Sequence, residues 1–221
     1  MYTYQTIQLG VGIVGIKKYL HLSMPLRIVE WYIFASIAVD IVKDILAFQK
    51  VHTLWIDNIF SVVELVLFAG MFYCWRTGKR NGQLLVGSFF LFLLIWIVGK
   101  FTFEPMIAST TYSGAVSQLV QIGFGVWLLF VILRDENNIW KNDPRLWVMS
   151  GIVFYAAGTF FLFGMFDEMW STNPHLLTSI WVVNHIFIAI QSMFFLRAFL
   201  CKPQPATGTG SGAAAETVEP S

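Results

Sequence analysis

Asp57-Asn58-Ile59-Phe60-Ser61-Val62-Val63-Glu64-Leu65 lies inside an apolar run from Thr53 to Trp75. A helix that crosses a bilayer needs roughly 20 such residues at about 1.5 Å rise each, so the run predicts a membrane span. Asp57, Ser61 and Glu64 are spaced by four and three, which puts them on one helical face. Glu64 falls about 16 Å into the span, near the bilayer midplane. An ionised carboxylate there costs about 2.5 to 3.5 kcal/mol or more unless it meets protein or trapped water. Glu64 is therefore the first candidate functional residue.

The chain around it has the composition of a membrane protein. Of 221 residues, 57% are apolar and 12% charged, and mean hydropathy is +0.66. A net charge of +1 with no basic tract gives no case for a nucleic-acid partner. Cys74 and Cys201 form neither a disulfide framework nor a zinc spacing. Lys17 and Lys18 follow the first apolar run, so that run reads as a retained helix and not as a cleaved signal peptide.

Seven apolar runs predict an all-α membrane protein of seven transmembrane helices: Tyr4 to Ile16, Leu26 to Phe48, Thr53 to Trp75, Gln83 to Phe103, Ser113 to Leu133, Leu146 to Phe166 and His175 to Leu200. Residues 1–202 are expected to form this bundle, and the Gly, Ala, Thr and Pro-rich residues 203–221 a disordered tail. Lys17, Lys18, Arg27, Arg76, Lys79, Arg80, Arg134, Lys141, Arg145, Arg197 and Lys202 collect at one side, while the other has Lys50 and Lys100. By the excess of cations in cytoplasmic loops, the N-terminus is expected outside and the C-terminus inside, in a multi-pass inner-membrane protein.

Three matches in order suggest an internal repeat. Gln8-Leu9-Gly10-Val11-Gly12 in the first span parallels Gln121-Ile122-Gly123-Phe124-Gly125 in the fifth, and Pro25 and Pro144 introduce the second and sixth. Asn58, Phe60, Glu64, Phe68, Phe72 and Cys74 correspond to His185, Phe187, Gln191, Phe195, Phe199 and Cys201 at one offset of 127 positions. A one-residue shift instead aligns Trp55 and Asn58 with Trp181 and Asn184. The expected plan is three helices, a linker helix and three helices, with parallel halves related by an axis along the membrane normal.

This plan resembles the SWEET sugar transporters and the wider transporter/opsin/receptor grouping. The resemblance covers topology across all seven runs. Trp55/Asn58 and Trp181/Asn184 look like the Trp and Asn residues of a SWEET pocket, although here each pair sits on one helix, and no span carries the Pro-Gln motif of PQ-loop transporters. Separately, Gly15-Ile16-Lys17-Lys18, Pro25-Leu26-Arg27-Ile28 and Leu54-Trp55-x-x-x-Ile59-Phe60-x-x-x-Glu64 are similar to small bacterial seven-span proteins, a likeness that implies no activity. The seventh span has no lysine, which argues against a retinal Schiff base.

The candidate ligand-binding residues are Glu64, Asn58, Asp57, His185, Asn184, Gln191, Asp40, Lys43, Trp55, Trp181, Gln121 and Tyr155. Gln8, Gln118 and Thr159 could line the same interior. Glu64 and His185 are expected to face one polar pocket at the midplane, with Asp40 and Lys43 as its vestibule. The bland alternatives are a helix-to-helix polar tie for Glu64, a backbone-bonded buried imidazole for His185 and neutralisation of Asp40 by Lys43. Asp44, Lys100, Glu104, Asp167 and Glu168 read as interfacial groups. Asp167, Glu168 and His175 match no zinc motif, and no cofactor or metal is expected.

Two functions follow. One is binding or transport of a small polar solute through a pocket open to the outside, with membrane lipids as surroundings and the oligomeric state left open. The other is a membrane-embedded enzyme acting on a lipid or isoprenoid, with Glu64 or Asp57 as general acid. The chain carries no Gly-x-Ser-x-Gly, His-Glu-x-x-His or phosphate-cradling loop. A sensor reading ranks below both, because no soluble output domain follows the seventh run.

Overall fold

The computed structural model describes residues 3–75, 79–102, 111–134, 140–172 and 174–201. Seven α-helices account for nearly all of them: α1 (Thr3–Lys18), α2 (Met24–Phe48), α3 (Leu54–Trp75), α4 (Lys79–Thr102), α5 (Thr111–Leu133), α6 (Pro144–Thr172) and α7 (Pro174–Leu200). Five of these, α3 to α7, are long and apolar enough to cross a membrane. The 16 residues of α1 fall short of that length. α2 has 25 residues but carries Arg27, Glu30, Asp40, Lys43 and Asp44. The tail 203–221, Arg76 and Glu104 lie outside the described residues, as do the side chains of Asp167, Glu168 and His175.

Local chemistry sets the helix ends. Pro25 occupies the first turn of α2 after an extended Ser23, where its missing N–H costs no hydrogen bond. α6 starts behind Asp143, whose carboxylate accepts the Arg145 backbone N–H at 2.9 Å and its guanidinium at 2.7 Å. α2 ends with Lys50 at φ 57°. There Val51 N–H bonds to Leu46 C=O at 3.1 Å and Lys50 N–H to Ala47 C=O at 3.0 Å, the paired bonds of a left-handed helix stop.

Six helices close a ring. α1 packs on α2, α2 on α3, α3 on α5, α5 on α6, α6 on α7, and α7 returns to α1, while α4 lies outside against α3 and α5. Close approach within the ring uses glycine. A Cβ on Gly151 would come within 2.8 Å of Phe194 Cβ and one on Gly158 within 2.6 Å of the Phe187 ring, so α6 and α7 meet nearly backbone to side chain.

The ring interior divides by chemistry along its length. Near the α2 N-terminus and α3 C-terminus it is a dry core of Val29, Ile33, Phe68, Met71, Phe195 and Phe199. Toward the α2–α3 turn it is polar, and Glu64 stands at the boundary.

Candidate functional site

The polar half holds a cavity of about 400 Å³ that extends from Ala47 and Thr53 at the α2–α3 turn to Tyr32 and Glu64. That volume suits a small molecule. Ala47 is exposed, so the hollow reaches the surface at this end. α2 supplies Tyr32, Ser36, Asp40 and Lys43, a stripe of spacing four, four and three that turns one face inward. α3 supplies Asp57, Ser61 and Glu64, the face read from the sequence.

Glu64 and His185 line this one cavity, but each has its own partner. Tyr32 donates its hydroxyl to Glu64 Oε1 at 3.4 Å. His185 stacks on Tyr4 with ring centroids 4.1 Å apart and planes 9° from parallel. Tyr4 in turn donates to Asp40 Oδ2 at 3.1 Å, so α1 ties α2 to α7 across the wall.

Lys43 pairs with Asp57 at 2.6 Å, and Asp40 takes the Tyr4 hydroxyl instead. The hydrogen-bonded partner of Lys43 is thus Asp57 across the α2–α3 contact, and not Asp40 of its own helix as the bland alternative had it. The Lys43 ammonium also lies 5.7 Å from the centre of the Trp181 ring, close enough for a cation–π contact. Asn184 Oδ1 accepts the Thr159 hydroxyl at 3.4 Å, and Tyr155 completes the α6 side.

Four of the candidates lie elsewhere. Trp55 is exposed on the outside of α3. Asn58 is buried and donates Nδ2 to its own helix at Leu54 C=O, 3.1 Å away. Gln121 and Gln191 are buried outside the cavity wall, Gln121 donating to Ser117 Oγ at 3.4 Å. Trp55 and Trp181 therefore do not form a matched pair. Leu54 and Trp181, which are 127 positions apart, both line the cavity.

Sequence reasoning missed Tyr4, Tyr32 and Ser36. The stripe through Tyr32, Ser36, Asp40 and Lys43 was the available signal, hidden because tyrosine counts as apolar in a hydropathy reading. It also missed Glu30, which is buried between helices with neither carboxyl oxygen hydrogen-bonded to a described residue. Glu30 lies against Gly15 of α1, where a Cβ would collide with its carboxyl group.

The described residues contain no group of three His, Cys, Asp or Glu side chains placed to hold a metal ion. In comparisons with known proteins, no family model, curated protein or solved structure matches the chain.

Proposed function

We propose that the chain is a multi-pass inner-membrane protein that binds or transports a small polar solute through the cavity lined by α1, α2, α3, α5, α6 and α7. The observation that carries this reading is that Glu64 and His185, from helices distant in sequence, line the same hollow, which reaches the surface at the α2–α3 turn. Carboxyl, imidazole and hydroxyl groups inside an apolar bundle have few uses other than holding a polar guest or a proton.

Seven crossings, N-terminus outside and C-terminus inside, are part of the proposal. The place of α1 and α2 in the closed ring supports their crossing, and in that setting Asp40, Lys43 and Asp44 of α2 face the cavity while Glu30 is buried against α1. Lys17, Lys18, Arg27, Arg134, Arg145 and Arg197 gather at the end of the bundle away from the cavity mouth, which makes that end cytoplasmic and the mouth external.

The halves are also proposed to be repeats. Burial supports this: at the 127-position offset, Glu64, Leu65, Phe68, Met71 and Phe72 are buried, and so are Gln191, Ser192, Phe195, Ala198 and Phe199. Exchanging α1 for α5, α2 for α6 and α3 for α7 leaves the ring of contacts unchanged. α4 has no counterpart, as a linker helix requires. Glu64 would then be the half-specific change at a position that holds Gln191 in the other half.

Uptake of radiolabelled ethanolamine, glucose and acetate into proteoliposomes tests the reading, with empty vesicles and Glu64→Gln as controls. At least one solute entering above empty vesicles, and about tenfold more slowly in Glu64→Gln, supports it. No uptake and no binding of any solute, together with a changed lipid profile in cells that carry the protein, would favour the lipid-acting enzyme instead.

A further inference from the structure

The described wall of the cavity carries more carboxyl groups than cationic groups. Among the described residues, Asp40, Asp44, Asp57 and Glu64 bring four carboxyl groups to its wall against one ammonium, that of Lys43. That ammonium is already committed to Asp57 at 2.6 Å. Tyr4 and Tyr32 each give one hydroxyl, to Asp40 and Glu64, but a carboxylate offers about four acceptor sites.

A second observation points the same way from the opposite wall. Gln118 of α5 is only 4% exposed and lines the cavity, and its carboxamide oxygen has no hydrogen-bond partner among the described residues. Leaving a buried acceptor unmatched costs about 1 to 3 kcal/mol, and this oxygen, closed to the hollow as it stands, gains a partner if the carboxamide turns toward a guest that brings donors. The aromatic lining of Tyr32, Phe60, Tyr155 and Trp181 adds ring faces that attract cations.

Resting on the polar-solute reading above, we infer that the guest is a small primary alkylammonium ion, whose positive charge answers Asp40, Asp44 and Glu64 and whose N–H groups reach Gln118. An anion meets a wall with more carboxyl groups than ammonium groups among the described residues, and a neutral sugar brings no charge to balance them. A quaternary ammonium ion has the charge but no N–H to donate, and so binds less tightly.

The test is thermal unfolding of the full chain in detergent, titrated to 20 mM with ethanolamine hydrochloride, tetramethylammonium chloride, glucose or sodium acetate. Ionic strength is held constant with sodium chloride. Ethanolamine is expected to raise Tm by about 3–6 °C once it exceeds its Kd tenfold. Tetramethylammonium should raise it less, and glucose and acetate not at all.

Gln118→Leu and Glu64→Gln should each weaken ethanolamine binding at least fivefold. Asp44→Asn, a change at the half-exposed mouth, is the companion that stays folded if an interior variant does not, and it should weaken binding about twofold. An equal or larger shift with glucose or acetate overturns the cation assignment while leaving a polar-solute cavity in place. No shift with any of the four overturns the assignment too, and labelling of the cavity from outside then decides separately whether the hollow itself exists.

Discussion

Lys43 of α2 and Asp57 of α3 meet at 2.6 Å with both side chains largely out of water. This pair closes the α2–α3 corner next to the mouth of the cavity. A pair this sheltered exceeds the worth of an exposed surface bridge, and breaking it strands the remaining charge. Lys43→Met and Asp57→Asn should each lower stability by about 1–2 kcal/mol. A double-mutant cycle by denaturant titration should show the double variant losing less than the two single losses added together. Simple additivity would mean that the pair contributes nothing.

Tyr4 has two separable jobs, since its ring stacks on His185 and its hydroxyl reaches Asp40. Tyr4→Phe removes only the hydroxyl and should cost about 1 kcal/mol. Tyr4→Leu removes the stack as well and should cost about 0.5–1.5 kcal/mol more. In His185→Leu that extra loss should vanish. Equal costs for Phe and Leu in the native background would show that the stack contributes nothing to stability.

Gly15 and Glu30 share one space at the α1–α2 contact. Gly15→Ala should lower stability by up to about 1 kcal/mol, since the obstacle is the movable end of the Glu30 side chain. Adding Glu30→Ala should recover most of that loss, because the carboxyl group is the obstacle. If Gly15→Ala is neutral in thermal unfolding, the two side chains do not compete for that volume.

Lys50 holds the left-handed position that ends α2, a conformation that strains a residue with a Cβ by about 1–2 kcal/mol. Lys50→Gly should therefore raise stability by about 0.5–1 kcal/mol, part of the relief being offset by the greater freedom of glycine in the unfolded chain. A fall in Tm would contradict the helix stop described at this turn.

Much of the fold was legible because apolar runs and charged breaks mark helix ends directly. Every run became a helix with ends within a few residues, apart from α6, which extends to Thr172. Glu64 was legible for a similar reason, since a carboxyl group in a long apolar run has few explanations. The partner of Lys43 was not. Asp40 shares its helix, and only the rotation of α3 against α2 turns Asp57 toward it. Trp55 and Trp181 have the same spacing to an Asn and are equally exposed, yet of the two Trp181 alone lines the cavity, because a one-residue shift turns a helical side chain by about 100°. Tyr4 and Tyr32 were missed because their rings satisfy a hydropathy reading while their hydroxyls do the polar work.

The central claim is that a water-filled hollow opens from the outer face and reaches toward Glu64. It is tested most directly by replacing Cys74 and Cys201 with serine, introducing Ser61→Cys, which lines the cavity, and adding a membrane-impermeant thiol reagent to intact cells. Ile59→Cys, on the exposed face of the same helix, is the control. Labelling of Ser61→Cys from outside, with Ile59→Cys unreactive because it faces lipid, is the predicted result. An unreactive Ser61→Cys in a folded protein, or one labelled only after the inner face is opened, would contradict the account.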